Sequence, residues 1–563
     1  MARKAGIGHQ NFETIRMRDI FYVDKTDFIR EWWEAEDPVT LIARPRRFGK
    51  TLNMSMTEQF FSVEYAGRAD LFEGLSIWEN RKFRELQGTF PVIFLSFADV
   101  KETDFEQMRK KLCRIIKGIY NQYDFLLEDH VLNENEKRDF QNISVNMENN
   151  EISYSLKALT NYLFRYYGKK VIILLDEYDT PMQEAYVGGY WDEMVELIRG
   201  LLNSTFKTNP YLERAIMTGI TRVSKESVFS DLNNLKVVTT TSKEYADSFG
   251  FTEKEVFAAL EEFGLSEQKQ KVKKWYDGFT FGEKTDIYNP WSIINYLDNR
   301  QVGAYWANTS SNSLIGKLIQ EGSRNVKQDF EELMQGNILK VEMDEQIVYH
   351  QLKVKKNSLW SLLLASGYLK AAGIELDESA GRWYYSLMLT NKEVQIMFEQ
   401  MIRNWFGEYE EEYNDFVKAL LKDDLKAMNY YMNKVALATF SYFDTGKNPS
   451  GEEPERFYHG FVLGLMVELN ERYVLTSNRE SGFGRYDVML EPKKSGDYGI
   501  ILEFKVKNSE EKSLSDAVEE ALRQIERQNY EASLTARGIP KENIRKYGFA
   551  FCGKKVLIGG RQT

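Results

Sequence analysis

The chain has 563 residues, of which 43% are hydrophobic, and its net charge is −11. This length exceeds what one domain usually takes, and the hydrophobic content is ample for well-packed cores. The acidic balance excludes a protein coated with basic residues for non-specific DNA binding, although it permits a local basic site.

Several classes of protein are excluded by what the sequence lacks. No apolar run approaches the roughly 20 residues of a membrane-spanning helix. The N-terminal segment lacks the apolar core of a signal peptide. The two cysteines, Cys113 and Cys552, are too few for a disulfide framework or a cysteine-based metal site. We therefore expect a cytoplasmic protein with no membrane partner.

A phosphate-binding loop is predicted near the N-terminus. An extended segment leads into an amphipathic helix that ends near Glu34 and that Thr26 or Asp27 could cap. Residues 39–42 then indicate a buried strand, residues 44–51 a loop that ends in Gly-Lys-Thr, and residues 52–61 a helix. In this P-loop order, backbone N–H groups and a lysine bind the phosphates of a nucleotide. The predicted ATP-binding residues are Arg46, Arg47, Phe48, Gly49, Lys50 and Thr51.

The loop departs from the general P-loop pattern at one position. The pattern GxxxxGK[ST] has glycine where this chain has Arg44. Glycine adopts backbone angles that other residues resist, so the sequence predicts a reshaped or weakened loop.

The second half of a nucleotide site is predicted around residue 176. Strand 91–97, helix 104–122, an exposed polar insertion at 127–151 and helix 153–167 come first. An apolar strand, 171–175, then runs into Asp176 and Glu177, which is the Walker B arrangement. Asp176 is placed to hold Mg²⁺ near Thr51, and Glu177 to orient and deprotonate the attacking water.

A further strand of the same sheet is predicted at residues 213–219, after helix 191–205. Its polar end places Thr218 as a sensor of the γ-phosphate. Arg222 could supply positive charge to the transition state, either in its own subunit or in a neighbour within a homo-oligomer. Strands and helices alternate throughout 39–241, which predicts a parallel sheet.

The middle of the chain is predicted to be mainly helical. Residues 252–300 indicate a helical lid, and residues 392–441 are helical again. Residues 359–370 indicate a helix that stops at Gly367 and turns into a strand, as in a winged helix. The turn-rich segment 444–451 suggests a boundary near 445–454.

A metal-dependent nuclease site is predicted in the last part of the chain. The elements there are helix 454–470, strands 472–476, 485–490 and 498–506, helix 513–530 and a last strand, 547–552. Glu503 and Lys505 lie two residues apart, on one face of a strand, and Asp487 precedes them on the neighbouring strand. Two carboxylates are ligands for Mg²⁺ or Mn²⁺, and a lysine positions the water or the phosphate. Gln524 is a candidate helper, and Glu455 and His459 could edge the site.

Several segments of the sequence match the motifs of a known family, and the resemblance covers nearly the whole chain. It rests on YVDKTDFI (22–29), RPRRFGKT (44–51), LLDEYDTP (174–181), TGITRVSKESVFSDLNNL (218–235), WYDGF (275–279), YNPWS (288–292) and GRYDVML with ILEFKV (484–506). The chain resembles a bacterial family with an N-terminal AAA-ATPase-like domain and a C-terminal PD-(D/E)XK nuclease domain. Arg44, Arg46 and Arg47 resemble that family's own form of the P-loop. The resemblance implies an ATPase combined with nuclease-like chemistry, without naming a substrate.

We therefore predict an α/β protein with three parts. Residues 1–250 form a P-loop ATPase domain with a parallel sheet, 251–400 a helical lid with a winged-helix-like region, and 401–563 a restriction-endonuclease-like domain with its core at 454–555. The predicted function is ATP binding and hydrolysis coupled to Mg²⁺-dependent cleavage of DNA or RNA. An alternative is a nucleotide-regulated switch whose nuclease-like domain binds without cutting. A small-molecule kinase is less favoured, because no acceptor-site motif is found.

Overall fold

The computed structural model describes residues 3–222, 229, 232–306, 313–320, 322–343, 356–405, 410–443, 461–465, 467–477, 480–481, 484–485, 487–506, 513–552 and 555–562. The chain divides into two compact units. The first comprises Met1–Ser311 and Gly336–Gln395, and the second comprises Asn312–Gln335 and Ile396–Thr563. The predicted division into three domains stays a prediction.

The first unit is built on a five-stranded parallel sheet. Its strands are β1 (Val39–Ala43), β2 (Val92–Ser96), β3 (Val171–Asp176), β4 (Leu212–Gly219) and β5 (Leu235–Val238), in the order β2-β3-β4-β1-β5. Every residue of β1 and β3 is buried, as continuous apolar runs in a central parallel sheet require. The predicted parallel α/β sheet is confirmed, and its register brings the ends of β1, β3 and β4 together at one edge.

The helices around this sheet follow the apolar periodicity closely. The predicted helices 104–122 and 191–205 are found within one residue of their predicted limits. The helices of this region are Phe12–Met17, Asp27–Ala35, Lys50–Phe61, Ser76–Glu79, Arg81–Leu86, Phe105–Gln122, Glu134–Asn142, Asn149–Tyr167, Thr180–Gly188 and Trp191–Phe206.

Two local predictions in this region are wrong. The segment 127–151 is more than an exposed insertion, because Glu134–Asn142 is a helix with a capping box, and its Phe140 is buried against Tyr120. Thr26 precedes helix Asp27–Ala35 without accepting a capping hydrogen bond. Its hydroxyl instead donates to Asp24, at 2.7 Å, and accepts from the Ile77 backbone N–H.

The prediction that residues 252–300 are helical is wrong at the strands of a small sheet, while their role as a lid stays a prediction. A three-stranded antiparallel sheet, formed by β6 (Phe251–Thr252), β7 (Asp277–Phe281) and β8 (Lys284–Tyr288), lies among helices Glu253–Glu262, Lys269–Tyr276 and Pro290–Asn299. Gly278 has φ +133, and a Cβ atom there would lie 2.0 Å from the carbonyl oxygen of Thr390. The backbone therefore passes from the helix into β7 with a conformation at its second residue that favours glycine.

The rest of the first unit is a helix followed by an antiparallel sheet. Helix Lys356–Ala365 ends before Gly367, whose φ is +82, and β10 (Leu369–Asp377) follows. This confirms the predicted helix stop and the change to a strand. With β9 (Leu339–Glu342) and β11 (Arg382–Leu389), β10 forms a sheet in the order β10-β11-β9. The part of the chain described here has no helix that is both long and apolar enough to cross a membrane.

The second unit contains a mixed five-stranded sheet. Its strands are β12 (Tyr473–Ser477), β15 (Val488–Pro492), β16 (Gly499–Val506), β17 (Ile544–Cys552) and β18 (Lys555–Gln562), in that order, and β16 and β17 are parallel. A short ribbon consists of β13 (Glu480–Ser481) and β14 (Gly484–Arg485). The prediction ended with β17 and so missed β18, which pairs with β17 along its whole length.

The helices of the second unit are Ser313–Gln320, Arg324–Met334, Glu410–Lys422, Leu425–Phe443, Leu514–Arg527 and Ala532–Ala536. Helix Lys392–Asn404 spans the division between the units. Of the predicted helix 454–470, residues 461–465 and 467–469 are helical. Its first residues, including Glu455 and His459, and most of the predicted boundary at 445–454 lie outside the described residues.

Candidate functional site

The P-loop lies at the carboxyl end of β1, where the chain enters helix Lys50–Phe61. Gly49 has φ +80 and precedes the first turn of the helix, whose N–H groups are free to meet an anion. The Lys50 ammonium donates to the carbonyl oxygens of Arg44 and Pro45, each at 2.9 Å. Burial lowers the pKa of Lys50, while Glu177 and Asp176 act in the opposite direction.

Arg44 occupies the position where the general pattern has glycine, and its backbone does not need one. Its φ is not positive, and its N–H donates to the carbonyl oxygen of Gly219 at 3.1 Å. The fully buried guanidinium donates to the carbonyl oxygens of Thr239 and Glu244 and lies 4.7 Å from the ring centre of Phe281. The arginine side chain thus attaches the loop to the segment 239–244, and the predicted weakening of the loop stays a prediction.

Replacing Arg44 should lower the stability of the first unit. We expect Arg44→Ala to reduce the free energy of unfolding by about 3 kcal/mol, since it leaves buried carbonyl oxygens without donors. Urea unfolding followed by tryptophan fluorescence measures this change. Arg47→Ala, at the exposed neighbour on the same loop, is the matched control and should cost less than about 1 kcal/mol. Equal effects of the two substitutions would contradict this account of Arg44.

Asp176, at the end of β3, is hydrogen-bonded to the P-loop helix and to β4. Its Oδ2 accepts from the Thr51 hydroxyl at 2.7 Å, and its Oδ1 accepts from the Thr218 hydroxyl. Burial raises the pKa of Asp176, and these two hydroxyl groups act in the opposite direction. The structure thus brings together Lys50, Thr51, Asp176 and Thr218, which come from three separate elements of the sequence.

Glu177 follows in a strained conformation. Its φ is +54, in the left-handed region that residues with a side chain rarely adopt. Its N–H donates to the Thr218 hydroxyl at 3.2 Å, and its Oε2 accepts from the Thr180 hydroxyl at 3.0 Å. Such strain persists where the surroundings impose it and is concentrated at functional sites.

The sequence analysis did not single out Tyr178 and Asp179, the two residues that follow Glu177. Asp179 is buried and accepts from the backbone N–H groups of Ile220 and Thr221, at 3.0 and 2.9 Å. Tyr178 donates its hydroxyl to the carbonyl oxygen of Thr221 at 2.7 Å. Together they attach the segment after β4 to the segment after β3. The sequence signal that could have pointed to Asp179 is a further carboxylate two residues after Glu177.

A cleft of about 450 Å³ opens beside the P-loop, within the size range of small-molecule sites. Its polar lining includes Lys50, Thr51 and Glu177, and the segments Gly6–Gln10, Tyr22–Val23 and Pro290–Trp291 form other walls. Arg222 does not line this cleft; it lines a separate cavity of the first unit. The predicted contribution of Arg222 to the transition state of ATP hydrolysis stays a prediction.

The remaining loop residues attach the P-loop to the segment 289–306. The carbonyl oxygen of Arg46 accepts from Asn289 at 3.3 Å and from the Trp306 indole at 3.1 Å. The Arg47 guanidinium lies 4.4 Å from a ring centre of Trp291, and Arg47 has φ +66. Phe48 is buried against Phe279 and Phe281, so its side chain packs in the core.

A second polar centre lies on the sheet of the second unit. Glu503 is buried on β16, and Asp487 immediately precedes β15 beside it. The Asp487 carboxylate accepts from the Phe504 N–H at 2.8 Å, which holds it against β16. Burial and the neighbouring Asp487 charge raise the pKa of Glu503 to about 8. The predicted neighbourhood of the two carboxylates and Lys505 is found, since the Lys505 ammonium lies 3.3 Å from Glu503 Oε1.

Helix Leu514–Arg527 contributes Gln524 to this centre. Gln524 Oε1 accepts from the Lys505 ammonium at 2.5 Å, and its Nε2 donates to the Tyr530 hydroxyl at 3.0 Å. Tyr530 is buried and was not predicted as part of the site. Burial raises its pKa, so it remains a neutral hydroxyl. Only its place at the end of the predicted helix could have pointed to it.

Comparison with known families agrees with this arrangement. The family model described as Predicted AAA-ATPase matches residues 6–229, and the model described as PD-(D/E)XK nuclease superfamily matches residues 453–560. The chain therefore carries an AAA-ATPase-like domain and a PD-(D/E)XK nuclease domain. The P-loop and Asp176 lie in the AAA-ATPase-like domain, and Asp487, Glu503, Lys505 and Gln524 lie in the nuclease domain.

One known protein is similar to this chain over most of its length. An "Uncharacterized protein in vnfD 5'region" of Azotobacter chroococcum mcd 1 is 24% identical over 402 residues. The alignment covers 71% of this chain and 70% of the relative. Because it exceeds the length of the AAA-ATPase-like match, the similarity is not confined to that domain.

Proposed function

We propose that this protein binds and hydrolyses ATP and couples this reaction to metal-dependent cleavage of phosphodiester bonds in DNA or RNA. The observation that carries the proposal is the centre formed by Glu503, Asp487 and Lys505. A buried carboxylate, a second carboxylate and an ammonium group within reach of one another have the chemistry that cleavage of a phosphodiester requires.

The residues of this centre fit a divalent cation. Glu503 Oε2 is a buried oxygen with no hydrogen-bond donor among the described residues, and Asp487 supplies a second hard oxygen beside it. Such oxygens suit Mg²⁺ or Mn²⁺, which would activate water and stabilise charge on the phosphate. Lys505, oriented by Gln524, would position the water or the phosphate.

The nucleotide half of the proposal rests on the cleft beside the P-loop. Lys50 and the first turn of its helix would bind phosphate oxygens, for which the ammonium must leave its present carbonyl partners. Thr51 and Asp176 would hold Mg²⁺, and Thr218 would report the γ-phosphate. Glu177 would orient and deprotonate the attacking water. Arg46 and Arg47 would add positive charge at the mouth of the cleft.

A cleavage assay with and without ATP tests the coupling. Plasmid, single-stranded DNA and RNA are incubated with the full chain and Mg²⁺ or Mn²⁺, in parallel with Lys50→Ala and Asp487→Ala. We expect Asp487→Ala to lose cleavage and Lys50→Ala to lose the response to ATP. Cleavage in the Asp487→Ala protein would contradict the site assignment. A wild-type protein that binds ATP and cleaves nothing would favour the nucleotide-regulated switch.

A further inference from the structure

A second large cavity lies in the first unit, away from the P-loop cleft. Its volume is about 1230 Å³, and its walls come from the hairpin of β10 and β11 on one side and from segments around residues 222, 240–243 and 280–285 on the other. None of the residues assigned to ATP above lines it except Arg222. The two walls differ in their chemistry.

The hairpin wall carries an apolar, partly exposed patch beside the ion pair of Arg382 with Glu342, at 3.2 Å. Ile374 pairs with Tyr385 and Leu376 with Trp383, so these four side chains share one face of the hairpin. Tyr385 is buried, whereas Ile374, Leu376 and Trp383 are exposed by 38%, 44% and 49%. Ile374, Trp383 and Tyr385 line the cavity. Half of a tryptophan surface is therefore available to a flat ligand.

The opposite wall carries hydroxyl groups and cations. Thr240, Thr241 and Thr285 line it together with Arg222 and Lys243. Lys243 forms an ion pair with Glu283 at 2.6 Å, and both side chains are more than 70% exposed. A pair so exposed contributes little to stability, and its lysine can exchange the carboxylate for a phosphate at little cost.

We propose that this cavity binds a single strand of nucleic acid, with bases on the Trp383 face and phosphates on the Arg222 and Lys243 wall. Proteins that bind single strands combine an aromatic platform with a wall of cations and hydroxyl groups, since every base has a flat face and every linkage a negative charge. The site lies in a different compact unit from the Glu503 centre. It deepens the proposed function by giving the nucleic-acid substrate a contact on the ATPase unit.

The position of Arg222 connects this cavity with the nucleotide site. Asp179 follows Glu177 closely and holds the N–H groups of Ile220 and Thr221, directly before Arg222. These hydrogen bonds join the segment that carries Glu177 to the backbone directly before Arg222, a residue of the cavity wall.

The test is binding of fluorescent single-stranded oligonucleotides of about 16 nucleotides to the full chain in EDTA, which prevents cleavage. Anisotropy is measured for oligo-dT, oligo-rU and a duplex, so that DNA and RNA are compared. The variants are Trp383→Ala, Trp383→Phe and Lys243→Ala. Tyr154→Ala, at an aromatic residue 59% exposed on helix Asn149–Tyr167, is the control. Ultraviolet cross-linking to thymine, mapped by mass spectrometry, gives a second readout.

We expect Trp383→Ala to weaken single-strand binding about 10-fold or more, and Trp383→Phe to retain most of it. Lys243→Ala should reduce the slope of log affinity against log salt by about 0.7, the value for one phosphate contact on a single strand. Tyr154→Ala should bind as the wild type does, and the cross-link should fall on Trp383. Unchanged affinity of Trp383→Ala, or a preference for duplex, would overturn the proposal. Absence of any oligonucleotide binding would also overturn it and direct attention to a peptide ligand.

These outcomes separate this proposal from the proposed function. A chain that binds oligonucleotides through Trp383 but cuts nothing with Mg²⁺ or Mn²⁺ retains the cavity assignment and loses the nuclease function. A chain that cuts nucleic acid but binds it equally well without Trp383 retains the nuclease function and loses the cavity assignment.

Discussion

Glu503→Gln should abolish phosphodiester cleavage while the protein stays folded. The Glu503 carboxyl is buried and its pKa is raised to about 8, so a neutral glutamine of the same shape matches the form that the fold already favours near pH 7. Removal of the anionic oxygen would take away a ligand of the divalent cation. Stabilisation by such a cation is worth several kcal/mol, and we expect a loss on the order of 10³-fold or more in rate.

The matched control is Glu520→Gln, the same substitution at an exposed position on helix Leu514–Arg527 of the same unit. Cleavage and thermal unfolding are measured for both variants and for the wild type. Glu520→Gln should cleave normally, and neither substitution should lower the unfolding temperature. Normal cleavage by Glu503→Gln would remove Glu503 from the proposed site. A much lower unfolding temperature would mean that the buried carboxylate has a structural role instead.

Glu177→Gln should stop ATP hydrolysis and preserve ATP binding. The side chain lines the cleft with Lys50 and Thr51, and its backbone is held at positive φ by contacts with Thr218 and Thr180. Glutamine keeps the shape and loses the base. General-base catalysis contributes about 10²–10⁴-fold, which sets the expected fall in turnover. Lys50→Ala should instead weaken binding itself, because in the proposed site the ammonium would contact the phosphates directly.

Turnover is measured as phosphate release and binding with a fluorescent ATP analogue. Glu193→Gln, on the exposed first turn of helix Trp191–Phe206, is the control and should match the wild type in both assays. If Glu177→Gln hydrolyses ATP at the wild-type rate, another group must activate the water. If the wild type itself binds ATP without turnover, the P-loop serves as a regulatory site, as in the switch alternative.

The local signals in the sequence were sufficient for the main elements. Continuous apolar runs predicted β1 and β3, and helical periodicity predicted Phe105–Gln122 and Trp191–Phe206 closely. The failures lie where a single glycine or a distant partner decides. Gly278 lies in strand 277–281, where its φ is +133 and Thr390, more than a hundred positions away in the sequence, leaves no room for a Cβ atom. Strand β18 was missed because its apolar run has only three residues, Val556 to Ile558, and two glycines follow it.

Motifs along the chain predicted an AAA-ATPase-like domain, a PD-(D/E)XK nuclease domain, the parallel sheet, and candidate site residues such as Lys50, Asp176 and Glu503. Those conclusions depend on spacing within short segments, and spacing can be read along a chain. Three contacts became apparent only in the folded chain: Arg44 donates to the carbonyl oxygens of Thr239 and Glu244, Asp179 accepts from the N–H groups before Arg222, and Gln524 donates to Tyr530. In the first two cases the partners come from elements far apart in the chain, and in the third from the turn after a helix. Packing, rather than any local pattern, sets all three contacts.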